Sequence, residues 1–95
     1  MSHAYVVGQI TVKNEALWAE YRSKVPATLE PWGAELMFRG KRIDSDDLED
    51  SHTHVVVIKF PSRADVEGWL QSEAYIALIP LRHEAAELVS ITYED

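Results

Sequence analysis

An α+β fold of the ferredoxin-like βαββαβ kind is predicted for this chain, and three observations predict it. Two β-branched runs, Ala4 to Val12 and His54 to Phe60, read as strands. Two stretches carry apolar residues at helical spacing, one through Leu17, Tyr21, Val25 and Leu29, the other between Phe60 and Ala86. The order strand, helix, strand, strand, helix, strand then gives one antiparallel sheet with both helices on one face.

The first run, AYVVGQITV, places Val6, Ile10 and Val12 on one face and Tyr5, Val7, Gln9 and Thr11 on the other. Asn14 caps the helix that follows, and Pro26, which lacks an N–H and crowds the preceding turn, predicts a kink near Arg22 to Val25. Pro31 and Gly33 end that helix. Ala34 to Arg42 is the second strand, with Leu36 and Phe38 on one face and Glu35, Met37, Arg39 and Lys41 on the other. Gly40 marks a bulge or a close backbone approach. Asp44 to Asp50 packs five carboxylates into seven residues, whose repulsion predicts a long, mobile hairpin connection.

His54 to Phe60 is apolar on both faces, as a central strand requires. Ser62 opens the second helix with Asp65 in capping position. Val66, Trp69 and Leu70 form its first stripe, and Gln71-Ser72-Glu73 restarts the pattern toward Tyr75, Ile76 and Ile79, so it runs in two pieces. Val89 to Tyr93 is the last strand.

Ninety-five residues with 46% hydrophobic and 26% charged side chains bound the chain to one globular domain, residues 1–95. The net charge of -7 argues against nucleic acid and anionic lipid as partners. The absence of cysteine excludes disulfides, thiolate nucleophiles and Cys-ligated zinc. The N-terminal residues do not form a signal peptide and no apolar run is long enough to span a bilayer, so a cytoplasmic location is expected. The helix-free face of the sheet carries Tyr5, Val7, Met37 and one side of Val55 to Val57. A patch of that kind predicts a homodimer of two sheets packed face to face, a dimeric α/β barrel.

The segment YRSKVPATLEPWG (residues 21–33), the pair Arg39-Gly40, and Phe60-Pro61-Ser62 followed by Trp69, Tyr75 and Arg82 resemble the family called domain of unknown function 1330. The resemblance covers nearly the whole chain. It implies the dimeric α/β barrel fold shared with small cofactor-free monooxygenases, muconolactone isomerases and heme-degrading enzymes, and it implies no particular reaction. Where the family pattern has a Gly-Gly pair this chain has Gly33-Ala34, its hairpin loop is unusually acidic, and Trp69-Leu70 replaces an aromatic pair.

The candidate chemistry is sparse. His52 and His54 point the same way beside the acidic loop, but a His-x-His pair without further ligands is better read as two strand-end histidines. The acidic run lacks the spacing of an EF-hand loop. No metal and no cofactor are expected, and no phosphate loop, Rossmann fingerprint or nucleophile elbow is present. Arg82 and His83 end the second helix, where a guanidinium can hold a carboxylate or enolate and an imidazole can move a proton. They are the catalytic candidates, set against an ion pair or helix cap for Arg82 and a surface position for His83. Tyr21, Trp32, Arg39, Trp69 and Tyr75 are the ligand-binding candidates. The aromatics among them equally suit a packed core, with Trp18, and Arg39, on the interface face of its strand, equally suits an intersubunit salt bridge.

Two functions follow. One is a dimeric module that binds a small apolar or aromatic molecule in a cleft between sheet and helices. The other is a cofactor-independent monooxygenase or isomerase of a small ring-containing acid, in which Arg82 holds an anionic oxygen, Tyr21 or Tyr75 orients it and His83 relays a proton.

Overall fold

The computed structural model describes residues 2–44 and 52–95. Its elements are β1 (Ala4–Val12), α1 (Glu15–Leu29), a 3-10 turn (Glu30–Trp32), β2 (Glu35–Lys41), β3 (His54–Phe60), α2 (Arg63–Gln71), α3 (Glu73–Ile76), α4 (Ile79–Ala85) and β4 (Ala86–Glu94). The strands form one antiparallel sheet in the order β2-β3-β1-β4. The predicted α+β ferredoxin-like arrangement is the observed one. The acidic loop lies, apart from Asp44, outside the described residues.

Local chemistry sets the helix starts. Asn14 Oδ1 accepts the backbone N–H of Leu17 at 3.1 Å, and Ser62 Oγ accepts that of Asp65 at 3.3 Å, each satisfying a donor the first helical turn leaves free. Helix α1 is continuous across Pro26. The second helical region divides into three pieces, not the expected two. Ser72 adopts extended backbone and recaps the chain for α3, and a further break at Ala77–Leu78 precedes Pro80, which fits the first turn of α4 where no N–H is needed. Gly33 ends the 3-10 turn with φ of 65°, a left-handed conformation open to glycine.

The core lies between the sheet and the helices. Val6 and Ile10 of β1, Ile58 and Phe60 of β3, Trp18, Tyr21 and Leu29 of α1, Val66 and Trp69 of α2, and Tyr75 of α3 are all buried in it. The last strand starts at Ala86 and not at Val89, because Ala86 is buried and Leu88 packs against the core before the chain reaches the exposed sheet edge. At the far end of the same ladder Asp95 accepts the backbone N–H of His3 at 2.7 Å, which lowers its carboxyl below the usual range and ties β4 to β1.

Strand β2 departs from its simple alternation. Leu36 pairs with Ile58 and Phe38 with Val57, so a bulge at Met37 inserts one residue. The expectation for Arg39 and Phe38 is corrected here. Beyond the bulge Phe38 turns to the helix-free face and Arg39, paired with Val56, turns to the helix side, opposite to the strict alternation expected of the strand. Gly40 is not the bulge; it permits a close approach, since a Cβ there would stand 2.6 Å from the Phe38 ring.

Candidate functional site

Two regions on the helix side of the sheet hold the candidate residues. The first is a buried aromatic layer. Trp18 stacks on Tyr21 with ring centroids 5.3 Å apart, and Trp69 packs between Phe60 at 5.5 Å and Tyr75 at 4.1 Å. Two polar ties run through it. Trp69 Nε1 donates to Thr28 Oγ1 at 3.0 Å, and the hydroxyls of Tyr21 and Tyr75 lie 3.0 Å apart. Trp32 is half-buried at the rim, its ring so close to Gly68 that a Cβ there would meet it at 2.4 Å.

Arg82 connects this layer to solvent. Its Nη1 donates to the Tyr75 hydroxyl at 2.6 Å, its guanidinium carbon stands 5.8 Å from the ring centroid, and its Nη2 is 3.4 Å from His83 Nε2. Adjacent helical residues diverge at the backbone, yet these two long side chains turn toward each other. Burial pushes the Tyr21 phenol well above its ordinary range, and the Tyr75 hydroxyl adds to this, outweighing the opposite pull of Arg82. Tyr21 is therefore a neutral phenol at physiological pH, able to hydrogen-bond but not to act as a base. Arg82, His83, Lys13 and Glu87 also line a shallow, polar cleft of about 280 Å³ where α4 meets β4.

The second region is a cleft of about 310 Å³ between α1 and β2. Val25 and Leu29 of α1 form one wall, Leu36 of β2 and Ile58 of β3 the floor, and Arg22 and Arg39 stand on the two sides. Of the ligand-binding candidates only Arg39 reaches it. Tyr21, Trp69 and Tyr75 are 3–6% exposed and are brought together in the aromatic layer instead. Arg22 was not among the candidates from sequence, although its spacing to Val25 and Leu29 puts it on the same helix face. Among the described residues no group of three His, Asp or Glu could hold a metal. His52 and His54 border a separate hollow of about 570 Å³ with Gln9, Phe38 and Gly40, and His54 Nδ1 is tied to Thr53 Oγ1 at 2.7 Å.

With this geometry in place, comparison with known families is decisive on one point: the profile of the domain of unknown function DUF1330 matches residues 3–94. The chain belongs to the DUF1330 family. No curated protein matches this DUF1330 chain in sequence. Among solved structures it is similar to a protein of unknown function from Rhodopseudomonas palustris, with a TM-score of 0.79 and 13% identity over 97% of this chain and 81% of that one. A dimeric ferredoxin-like protein of unknown function from Jannaschia gives a TM-score of 0.74 at 8% identity, covering 96% of this chain and 97% of that one. SnoaB, a cofactor-independent oxygenase from Streptomyces nogalater, gives 0.73 at 7% identity, covering 98% and 92%. At such identities the likenesses establish the shared fold of the DUF1330 chain.

Proposed function

We propose that this protein is a homodimer whose subunits each bind a small, largely apolar molecule in the α1–β2 cleft. The observation that carries this is Leu36. It sits on the helix side of the sheet, where its cross-strand partner Ile58 is 5% exposed, yet it is itself 44% exposed to the cleft. The apolar layer is thus unfilled at this edge, and an apolar ligand there would continue the core and remove that surface from water. The volume stands at the small end of the roughly 300–1,000 Å³ usual for small-molecule sites. A ligand-dependent rise in melting temperature that Leu36→Trp abolishes is the expected result of a screen of small aromatic and aliphatic compounds. No rise for any compound would contradict it.

The dimer part rests on the opposite face. Phe38, Val89, Ile91 and Tyr93 are 56%, 49%, 45% and 53% exposed on the helix-free side, where they adjoin Tyr5, Val7 and Val57. A contiguous apolar face of this kind marks an association surface, and the Jannaschia protein of the same fold is described as dimeric. Pairing there leaves the α1–β2 cleft open.

A catalytic reading is favoured by one separate observation, the chain from Tyr21 through Tyr75 and Arg82 to His83. In it Arg82 would hold an anionic oxygen of a ring-containing acid at the α4–β4 cleft and His83 would relay a proton. Turnover of such acids that is lost in both Arg82→Ala and His83→Ala is its test. Binding is the better-supported function, because the Tyr21 and Tyr75 hydroxyls are already engaged with each other and with Arg82.

A further inference from the structure

Resting on the reading of the α1–β2 cleft as a ligand site, we propose that its ligand is an amphipathic monocarboxylate, the carboxylate held by Arg22 and Arg39 and the apolar body laid over Val25, Leu29 and Leu36. The two guanidiniums come from opposite walls, Arg22 from α1 and Arg39 from β2, and it is the bulge at Met37 that turns Arg39 to this side of the sheet. Neither makes an ion pair or hydrogen bond with another described residue, whereas Lys24 and Arg63 pair with glutamates one helical turn away and Arg82 donates to Tyr75. In a chain of net charge -7, two cations that line one apolar cleft, neither of them paired with a described residue, reverse the local sign. The fork of a guanidinium matches the two oxygens of a carboxylate.

Charge count narrows the class. The lining also contains Glu30, so two guanidiniums and one carboxylate leave a single net positive charge, which one carboxylate balances and a dianionic phosphate exceeds. The apolar floor then selects for a hydrocarbon or aromatic body over a sugar or an amino acid. The cleft faces away from the proposed dimer surface, so the acid can enter without subunit separation.

Titration calorimetry on the intact protein with 3-phenylpropanoate, 3-phenylpropanamide and 2-phenylethyl phosphate tests this. The carboxylate is expected to bind at least about tenfold more tightly than the isosteric amide, the gain of one charge-assisted contact pair. That gap should close in Arg22→Met/Arg39→Met, and rising salt should weaken the acid more than the amide. Both substituted side chains are exposed, so the fold is retained. Equal binding of acid and amide by the wild type, both lost in Leu36→Trp, would overturn the carboxylate assignment while leaving the cleft as a ligand site. Tighter binding of the phosphate would overturn the monoanion assignment. Binding of none of the three, or binding indifferent to Leu36→Trp, would overturn the cleft reading and this proposal with it.

Discussion

The hydroxyls of Tyr21 and Tyr75 meet 3.0 Å apart in the buried layer, 54 residues apart in sequence, and Arg82 donates to the second of them. This contact joins α1 to α3 and gives the aromatic core its internal polar link. Removing one partner leaves the other hydroxyl short of a bond in an apolar setting. Tyr21→Phe and Tyr75→Phe should each cost about 1–3 kcal/mol of stability, and the double substitution less than their sum, in a denaturant-unfolding cycle.

Tyr21 also gives an alkaline signature. Its phenol is raised above the ordinary value of 10.0 by burial first and Tyr75 second, so in the folded protein it keeps its proton while the unfolded chain releases one. The contribution is fully present below about pH 10 and is lost as pH rises further, because the unfolded state then binds fewer protons than the native state. Melting temperature followed from pH 8 upward should fall more steeply above about pH 10 in the wild type than in Tyr21→Phe.

Thr28 is the hydrogen-bond partner of the buried Trp69 indole N–H. Thr28→Val keeps the shape and removes the acceptor, so it should destabilise by about 1–3 kcal/mol, whereas Thr28→Ser, which retains the oxygen, should cost less. Chemical denaturation of the three proteins side by side would show this order, and equal stability of the valine and serine variants would count against a role for that bond.

Pairing of the helix-free faces predicts a twofold mass difference upon one charge. Ile91 lies midway along the edge strand β4, beside Val7 on that face and outside the helix-side core, so Ile91→Lys should give a folded monomer where the wild type sediments as a dimer at micromolar concentration. A monomeric wild type, or an Ile91→Lys dimer, would contradict the proposed interface.

Much of this architecture was legible in the sequence, and the reasons are local. The alternation of Tyr5 to Val12 declared both faces of β1, and Asn14 and Ser62 declared the helix starts, because caps and strand alternation are written in neighbouring residues. The bulge at Met37 was not legible. It is fixed by which residue of β3 stands opposite, Ile58 to Leu36 and Val57 to Phe38, and a single strand carries no trace of that. From it followed the exchanged faces of Phe38 and Arg39. The break at Ala77–Leu78 was not read from the sequence, because Tyr75, Ile76 and Ile79 carry the apolar periodicity across it. The α1–β2 cleft escaped for a different reason: it is a shortfall of packing between two elements, and helical spacing reports what a face contains, not what it leaves uncovered. The Trp69–Thr28 and Tyr21–Tyr75 bonds likewise span 41 and 54 residues.

Binding of a small apolar ligand between α1 and β2 is tested most directly by methyl-resolved NMR during titration with 3-phenylpropanoate. Shifts concentrated on the methyls of Val25, Leu29, Leu36 and Ile58 are the predicted result. Shifts concentrated instead on Val55, Val89 and Ile91 of the helix-free face, or none at saturating ligand, would contradict it.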